Sequence, residues 1–269
     1  MKRLPVLLAA LAMVGLHASC SVLEDRRPCP CFLDVDYTYI LDGAYGAAPS
    51  GFVRVEVLNP ALEVSGETAL AVCPDTAEFR VTRTAATVVG VVSSSDSLPW
   101  SADGMRIAYA AGNQMDSIYL HASQVDCSGE EAYCLLTPTK QFSTVFITDN
   151  RGGEALRAFN LVVKGSTCGL DVRTGAALPG EYLYTVQDYD ASGGISVRIP
   201  RQTGNDLVLL LYDRETYTRR LTVPIGRRMT VPTGSGPLPD YEVQVDFEAM
   251  ISYVRIADWD ESGIVAIFK

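Results

Sequence analysis

Apolar and polar residues alternate with a period of two over much of the chain. Leu33, Val35, Tyr37 and Tyr39 alternate with Asp34, Asp36 and Thr38, and Val53, Val55 and Val57 alternate with Arg54 and Glu56. The scheme recurs in Ile195, Val197 and Ile199, and in Tyr241, Val243, Val245 and Phe247, which are separated by Glu242, Gln244 and Asp246. Successive side chains of a strand point to opposite faces, so this spacing predicts strands with one buried face. Leu207 to Leu211 is apolar throughout and predicts a strand buried on both sides. Turn-forming strings interrupt the pattern at short intervals: Asn150-Arg151-Gly152-Gly153, Ser192-Gly193-Gly194 and Thr233-Gly234-Ser235-Gly236-Pro237. No segment carries a long 3.6-residue stripe with caps. The pattern therefore predicts an all-β protein of antiparallel β-sandwiches. Roughly 16 strands exceed what one sandwich needs, so two in tandem are expected. The expected boundary is Lys164-Gly165-Ser166-Thr167, after the strand containing Phe159, Leu161 and Val163, with Cys168-Gly169 opening the second unit. That division gives residues 31–165 and 166–269.

The first thirty residues depart from this scheme. Met1, Lys2 and Arg3 precede an apolar run from Leu4 to Leu16, too short to span a bilayer, and small residues Ala18 and Ser19 precede Cys20. A charged start, a short apolar core and small residues before a cysteine predict a removed leader and a lipid-bearing N-terminal cysteine. Residues 1–19 are thus expected to be a signal peptide, Cys20 the lipidated residue and residues 20–30 a linker. His17 stands where lipoprotein signals carry an aliphatic residue, and the alternative is an ordinary secretory signal followed by a disulfide cysteine. An uncleaved membrane helix fits less well, because Glu24, Asp25, Arg26 and Arg27 follow at once. Each buried CH₂ of an acyl chain contributes about 0.8 kcal/mol, so stable anchoring takes more than one chain.

Loss of Lys2 and Arg3 with the leader moves the formal net charge from −10 to −12. Such acidity argues against nucleic acid and against electrostatic adhesion to an anionic bilayer. Setting Cys20 aside leaves Cys29, Cys31, Cys73, Cys127, Cys134 and Cys168, an even set that predicts disulfides in an exported protein. Cys127 and Cys134 flank the turn-like string Ser128-Gly129-Glu130-Glu131, which predicts a local bridge across a hairpin. Cys29 and Cys31 are too close to pair with each other and would reach for Cys73 and Cys168. A zinc site on Cys29-Pro30-Cys31 would need ligands from scattered cysteines, so no metal or other cofactor is expected.

Catalytic chemistry is sparse. His121, on a strand with Ile118 and Leu120, is the only histidine after the leader, so any Ser/His/Asp or Cys/His centre would have to use it. There is no Gly-x-Ser-x-Gly elbow. Asp188-Tyr189-Asp190-Ala191-Ser192-Gly193 opens like a calcium loop, but its twelfth position is Ile199 where an EF-hand needs glutamate. Asp258-Trp259-Asp260-Glu261-Ser262-Gly263 has the same character, and both read as turns. Asp34 and Asp36 fall on the outer side of a strand. No enzyme is expected.

The string Cys20-Ser21-Val22-Leu23-Glu24-Asp25-Arg26-Arg27-Pro28-Cys29-Pro30 resembles the mature start of the FimB/Mfa-type fimbrial anchor lipoproteins of Bacteroidetes. Later strings are similar to the same family: Gly112-Asn113-Gln114-Met115-Asp116-Ser117-Ile118-Tyr119, Lys140-Gln141-Phe142, Cys168-Gly169, and Val254-Arg255-Ile256-Ala257-Asp258-Trp259. Their order spans almost the whole mature chain. The resemblance implies two tandem transthyretin-like β-sandwich domains. It also implies an outer-membrane lipoprotein at the cell surface that tethers a type V pilus through Cys20, limits its length and joins stalk pilins by strand complementation.

In that family an arginine-specific protease removes the first strand of stalk pilins, whereas a lipidated anchor would be released by such a cut. Pro28 should block cleavage after Arg27, but Arg26 remains a candidate protease-sensitive site. The expectation is that the first strand, residues 32–39, is retained. An anchor whose own groove stays filled needs another surface for the first stalk subunit. Ile264, Ala266 and Phe268, alternating with apolar Val265 and Ile267, form a candidate strand-exchange segment, against the alternative of a resident last strand. Other readings are an accessory or tip fimbrial subunit, or a surface lipoprotein binding glycan or host protein through the loops at residues 93–97 and 101–104, where Trp100 is the one hint of an aromatic platform.

Overall fold

The computed structural model describes residues 29–43, 51–60, 62–151, 155–187, 194–228, 238–248, 251–256 and 266–268. Cys20, Arg26, Ile264 and the two calcium-like strings at 188–193 and 258–263 lie outside them. Within them the chain forms strands and short helical turns. The N-terminal strands are β1 (Cys31–Asp36), β2 (Phe52–Asn59), β3 (Leu62–Ala69), β4 (Thr76–Val81), β5 (Ala86–Ser93), β6 (Arg106–Ala108), β7 (Ile118–Val125), β8 (Glu131–Leu135) and β9 (Thr139–Lys140). They are followed by β10 (Phe142–Asp149), β11 (Phe159–Asp171), β12 (Ala177–Thr185), β13 (Ile195–Pro200), β14 (Val208–Asp213), β15 (Arg219–Val223), β16 (Tyr241–Asp246), β17 (Ile251–Ile256) and β18 (Ala266–Phe268).

Two sheets come from the N-terminal strands, one of three in the order β4-β1-β8 and one of five in the order β3-β2-β5-β7-β9. Two more come from the C-terminal strands, in the orders β13-β10-β16-β17-β18 and β12-β11-β14-β15. Neighbours pair antiparallel except β1 with β8 and β10 with β16, which run parallel. The inward positions of the period-two pattern build the cores. Leu33 and Val35 of β1 meet Val53, Val55 and Val57 of β2 and Val88 and Val92 of β5, so the three- and five-stranded sheets face each other. Val145, Ile147, Val197, Val243 and Val245 meet Leu161, Val163, Leu209, Leu211 and Val223 in the same way between the C-terminal sheets. This is the all-β sandwich architecture expected of alternating strands.

Strand pairing runs across the expected division at residue 165. β11 runs unbroken through Gly165, and both it and β10 pair with strands from the C-terminal half. Sheet membership changes between Lys140 and Phe142 instead. Gly165-Ser166-Thr167 reads as a linker because it is small and polar, but it is the irregular part of a 13-residue strand, where the register with β12 shifts between Gly165 and Thr167 and again between Thr167 and Gly169. A Cβ on Gly165 would lie 2.5 Å from the side-chain amide oxygen Oε1 of Gln202, and the Thr167 hydroxyl donates to the Arg201 backbone carbonyl at 2.6 Å.

Two other elements differ in detail. β1 stops at Asp36, and Thr38–Leu41 forms one helical turn, α1, that buries Ile40. In β14 and its approach, Leu207, Leu209 and Leu211 are enclosed, whereas Val208 and Leu210 are only half-buried, so this apolar run has one core face.

The two pairs of sheets meet along a seam. β6 leaves the N-terminal strands to pair with β11, with Leu170 opposite Ile107. Around it a third apolar cluster gathers Val89, Val91, Ile107, Met115, Ile118, Leu120, Phe142, Leu170 and Val172. Polar contacts stitch the same line. Tyr109 N donates to the Cys168 carbonyl (2.8 Å) and Gly112 N to the Leu183 carbonyl (2.7 Å), and Arg198 Nε donates to the Met115 carbonyl (2.9 Å). Lys140 Nζ lies 2.6 Å from the Asp240 carboxylate.

Candidate strand-assembly site

β1 is the middle strand of its sheet, hydrogen-bonded on both edges. It runs antiparallel to β4 from Cys31 opposite Val81 to Asp36 opposite Thr76, and parallel to β8 from Phe32 opposite Glu131 to Asp36 opposite Leu135. The alternation read from the sequence places Cys31, Leu33 and Val35 inward, each 0% exposed, with Asp34 outward. Arg80, opposite Phe32, lays its guanidinium 5.5 Å from the Phe32 ring centroid on the outer face. Enclosing a side chain such as Leu33 or Val35 contributes about 1.5–3 kcal/mol.

Both ends of β1 are fixed. At its start Phe32 N donates to the Glu130 carbonyl at 2.9 Å. At its end Asp36 Oδ1 accepts from Thr38 N (2.7 Å) and the Thr38 hydroxyl (2.6 Å), and Asp36 Oδ2 accepts from the Tyr133 hydroxyl. These bonds, the Thr38 hydroxyl first, hold the Asp36 carboxyl below the ordinary carboxylate range. Tyr37 N and Leu136 N complete the closure on the Asp75 and Asp36 carbonyls. Pulling β1 out would orphan backbone groups on two neighbours, which is the cost that makes a filled groove stable.

The six described cysteines carry no disulfide among them. Cys127 is not brought to Cys134. The chain between them does not close a hairpin, because β7 belongs to the five-stranded sheet and β8 crosses to run beside β1. Cys127 instead meets Cys31 in the N-terminal core. The Cys134 thiol lies 3.6 Å from both Ser123 Oγ and His121 Nε2. Cys29 is exposed, Cys73 is half-buried beyond the end of β1, and Cys168 sits on β11 against Gly180, so neither Cys73 nor Cys168 is a neighbour of Cys31.

Among the described residues, His121, Ser123 and Cys134 bring nucleophile and base types close together. The hydrogen-bond network sets the imidazole the wrong way for catalysis. Thr137 N donates to His121 Nδ1 at 3.1 Å, so the ring proton sits on Nε2 and points at Ser123 Oγ, 2.9 Å away. A histidine that donates to a hydroxyl does not take its proton. Burial lowers the His121 pKa, and burial pushes the Cys134 thiol up. Trp100 is no open platform: the Arg54 guanidinium stacks 4.1 Å over its ring, and Arg54 is held by Glu56 at 2.7 Å. Among the described residues no group of three or more His, Cys, Asp or Glu side chains could hold a metal ion.

Near the C-terminal end of the chain, β18 lies at the edge of its sheet, with Ser252, Tyr253 and Val254 of β17 opposite Phe268, Ile267 and Ala266. The described part of the C-terminal segment is thus paired in its own sheet. Sequence reasoning missed the seam residues Asp240 and Arg198, since isolated polar residues in or beside strands carry no signal of a partner far along the chain.

No protein-family model matches the sequence, and no curated protein matches it. Solved structures do. A candidate polysaccharide-binding protein of Bacteroides thetaiotaomicron superposes with a TM-score of 0.64 at 10% identity, over 89% of this chain and 98% of that one. A candidate adhesin of Bacteroides ovatus gives 0.60 at 10% identity, over 90% and 96%. The fimbrial anchor protein Mfa2 of Porphyromonas gingivalis gives 0.57 at 10% identity, over 86% and 98%. At such identity the likeness is one of fold, and it extends over nearly the full length of each of these proteins.

Proposed function

We propose that this chain is a fimbrial subunit of a Bacteroidetes type V pilus, and specifically its anchor, tethered to the outer membrane through lipid on Cys20. The observation that carries the reading is the filled first-strand position. β1 occupies the centre of its sheet with three enclosed side chains, as suits a subunit that keeps its strand and closes the series. The fold it shares with Mfa2 and the lipoprotein-like start support the same role, as do the residue strings that carry the family resemblance. Strand complementation by pilins then uses another edge. The short, terminal β18 is the segment best placed to be exchanged or extended. The role is structural, not enzymatic, since the His121 grouping is internally satisfied.

Replacing Cys20→Ala in the native host tests the tether. Fibres released into the medium, with the protein still folded, are the expected result; fibres retained normally on the cell would reject the anchor reading. A protein whose N-terminus in cell-associated material begins at Arg27 would reject retention of the tether.

A further inference from the structure

We infer that Cys31 and Cys127 form a disulfide in the exported protein, fastening the first residue of β1 to the loop that follows β7. Both thiols are 0% exposed, belong to the same apolar cluster and lie in side-chain contact. Backbone pairing fixes their approach. Cys31 stands opposite Val81 in the antiparallel ladder, and the Phe32 N–H to Glu130 carbonyl bond lays the loop after Cys127 along the start of β1. The Cys127 thiol also leans on the Val125 carbonyl at 3.8 Å.

No other described thiol competes for either partner. Cys134 is opposite Val35, four residues along β1 from Cys31 and hence about 13 Å away at strand rise. Cys73 precedes Thr76, which pairs with Asp36 at the far end of β1. Cys168 is on a C-terminal sheet, and Cys29 is exposed. Burial first, then the adjacent Cys31 thiol, pushes the Cys127 pKa up to about 11. Thiolate is therefore scarce once β1 has docked, and the bond closes while the strand is still settling.

Closure removes two protons and two electrons from the pair. A dithiol–disulfide oxidant of the cell envelope accepts them. The Cys31 thiolate attacks its disulfide, the Cys127 thiolate then attacks the mixed disulfide, and the oxidant leaves as a dithiol. The resulting loop of about 100 residues makes β1 inseparable from its sheet, even where the chain is cut ahead of Cys31 or between β1 and β2. Only the purpose of this fastening rests on the anchor reading; the bond does not.

The test is a peptide map of the full chain exported to an oxidising compartment, alkylated in denaturant without reductant. Glutamyl endopeptidase, cutting at Glu130 and Glu131, separates Cys127 from Cys134, and fragmentation separates Cys29 from Cys31. A Cys31–Cys127 cross-linked peptide that parts on reduction is expected. Alkylation of both cysteines, or a bridge from Cys127 to Cys134 or Cys29, overturns the proposal. In Cys127→Ala, Cys31 should become alkylated; if it stays blocked, another partner holds it and the proposal fails. The map reads a mass, so it stands apart from fibre retention: a missing bridge with fibres shed by Cys20→Ala rejects this inference alone, and a bridge with fibres retained rejects the anchor alone.

Discussion

Leu33 is wholly enclosed between the two N-terminal sheets, and its removal cannot be masked by solvent. Leu33→Ala is expected to cost about 2–5 kcal/mol, read as a fall in the urea midpoint with little change in slope. Asp34→Ala on the outward face of the same strand should change stability by no more than about 0.5 kcal/mol. His121 supplies a pH dependence. Burial lowers its pKa below the ordinary 6.5, so the folded state takes up a proton less readily than the unfolded chain. Its contribution is intact above pH 6.5 and declines as pH falls from there towards the depressed folded value, at most about 1.4 kcal/mol per pH unit. Unfolding measured between pH 7.5 and 5 should show this decline in the wild type and a smaller one in His121→Gln. The inward identity of Leu33, Val35 and Val57 was legible in the period of two. The partner of Cys127 was not, because the chain leaves Cys127 for a different sheet, and local spacing says nothing about where a strand crosses.

At the scale of elements, alternation located most strands, but composition misjudged two places. Gly165-Ser166-Thr167 looked like a connection because small polar residues usually are one; in β11 the same residues accommodate Gln202 and a register shift. Leu207 to Leu211 looked buried on both faces, yet its sheet covers a core on one side only. Gly169, expected to open a second unit, instead permits β6 to approach. A Cβ there would overlap the Ile107 backbone carbonyl oxygen. Gly169→Ala should therefore break the β6–β11 pairing and cost about 1–3 kcal/mol, measured as a lowered thermal midpoint. Deleting residues 264–269 decides the role of the C-terminal edge. A protein that folds but no longer holds fibres supports exchange through β18; one that folds and still holds them refutes it.

Across the whole molecule, three of the strings that carry the family resemblance, those at 112–119, 140–142 and 168–169, converge on the seam. Gly112, Met115, Lys140, Gln141, Cys168 and Gly169 all touch residues of the opposite pair of sheets. With Met115, Ile118, Phe142 and Leu170 enclosed there, the two pairs share apolar surface and should unfold together. Calorimetry is expected to show one transition whose calorimetric and van't Hoff enthalpies agree; two resolved transitions would show that the seam does not couple them. This level of organisation was least legible in the sequence, since the seam is assembled from short pieces brought together by topology.

The placement of β1 has a consequence for force. Under the proposed tether ahead of Cys31, a pull on the fibre would enter the N-terminal end of a strand bonded along both sides. Tension directed along that axis loads the β4 and β8 ladders in shear, so their hydrogen bonds must fail together; a strand at a sheet edge, pulled sideways, would unzip one bond at a time. The central position of this short strand thus lets it resist a pull along its own axis better than a strand at a sheet edge pulled sideways would.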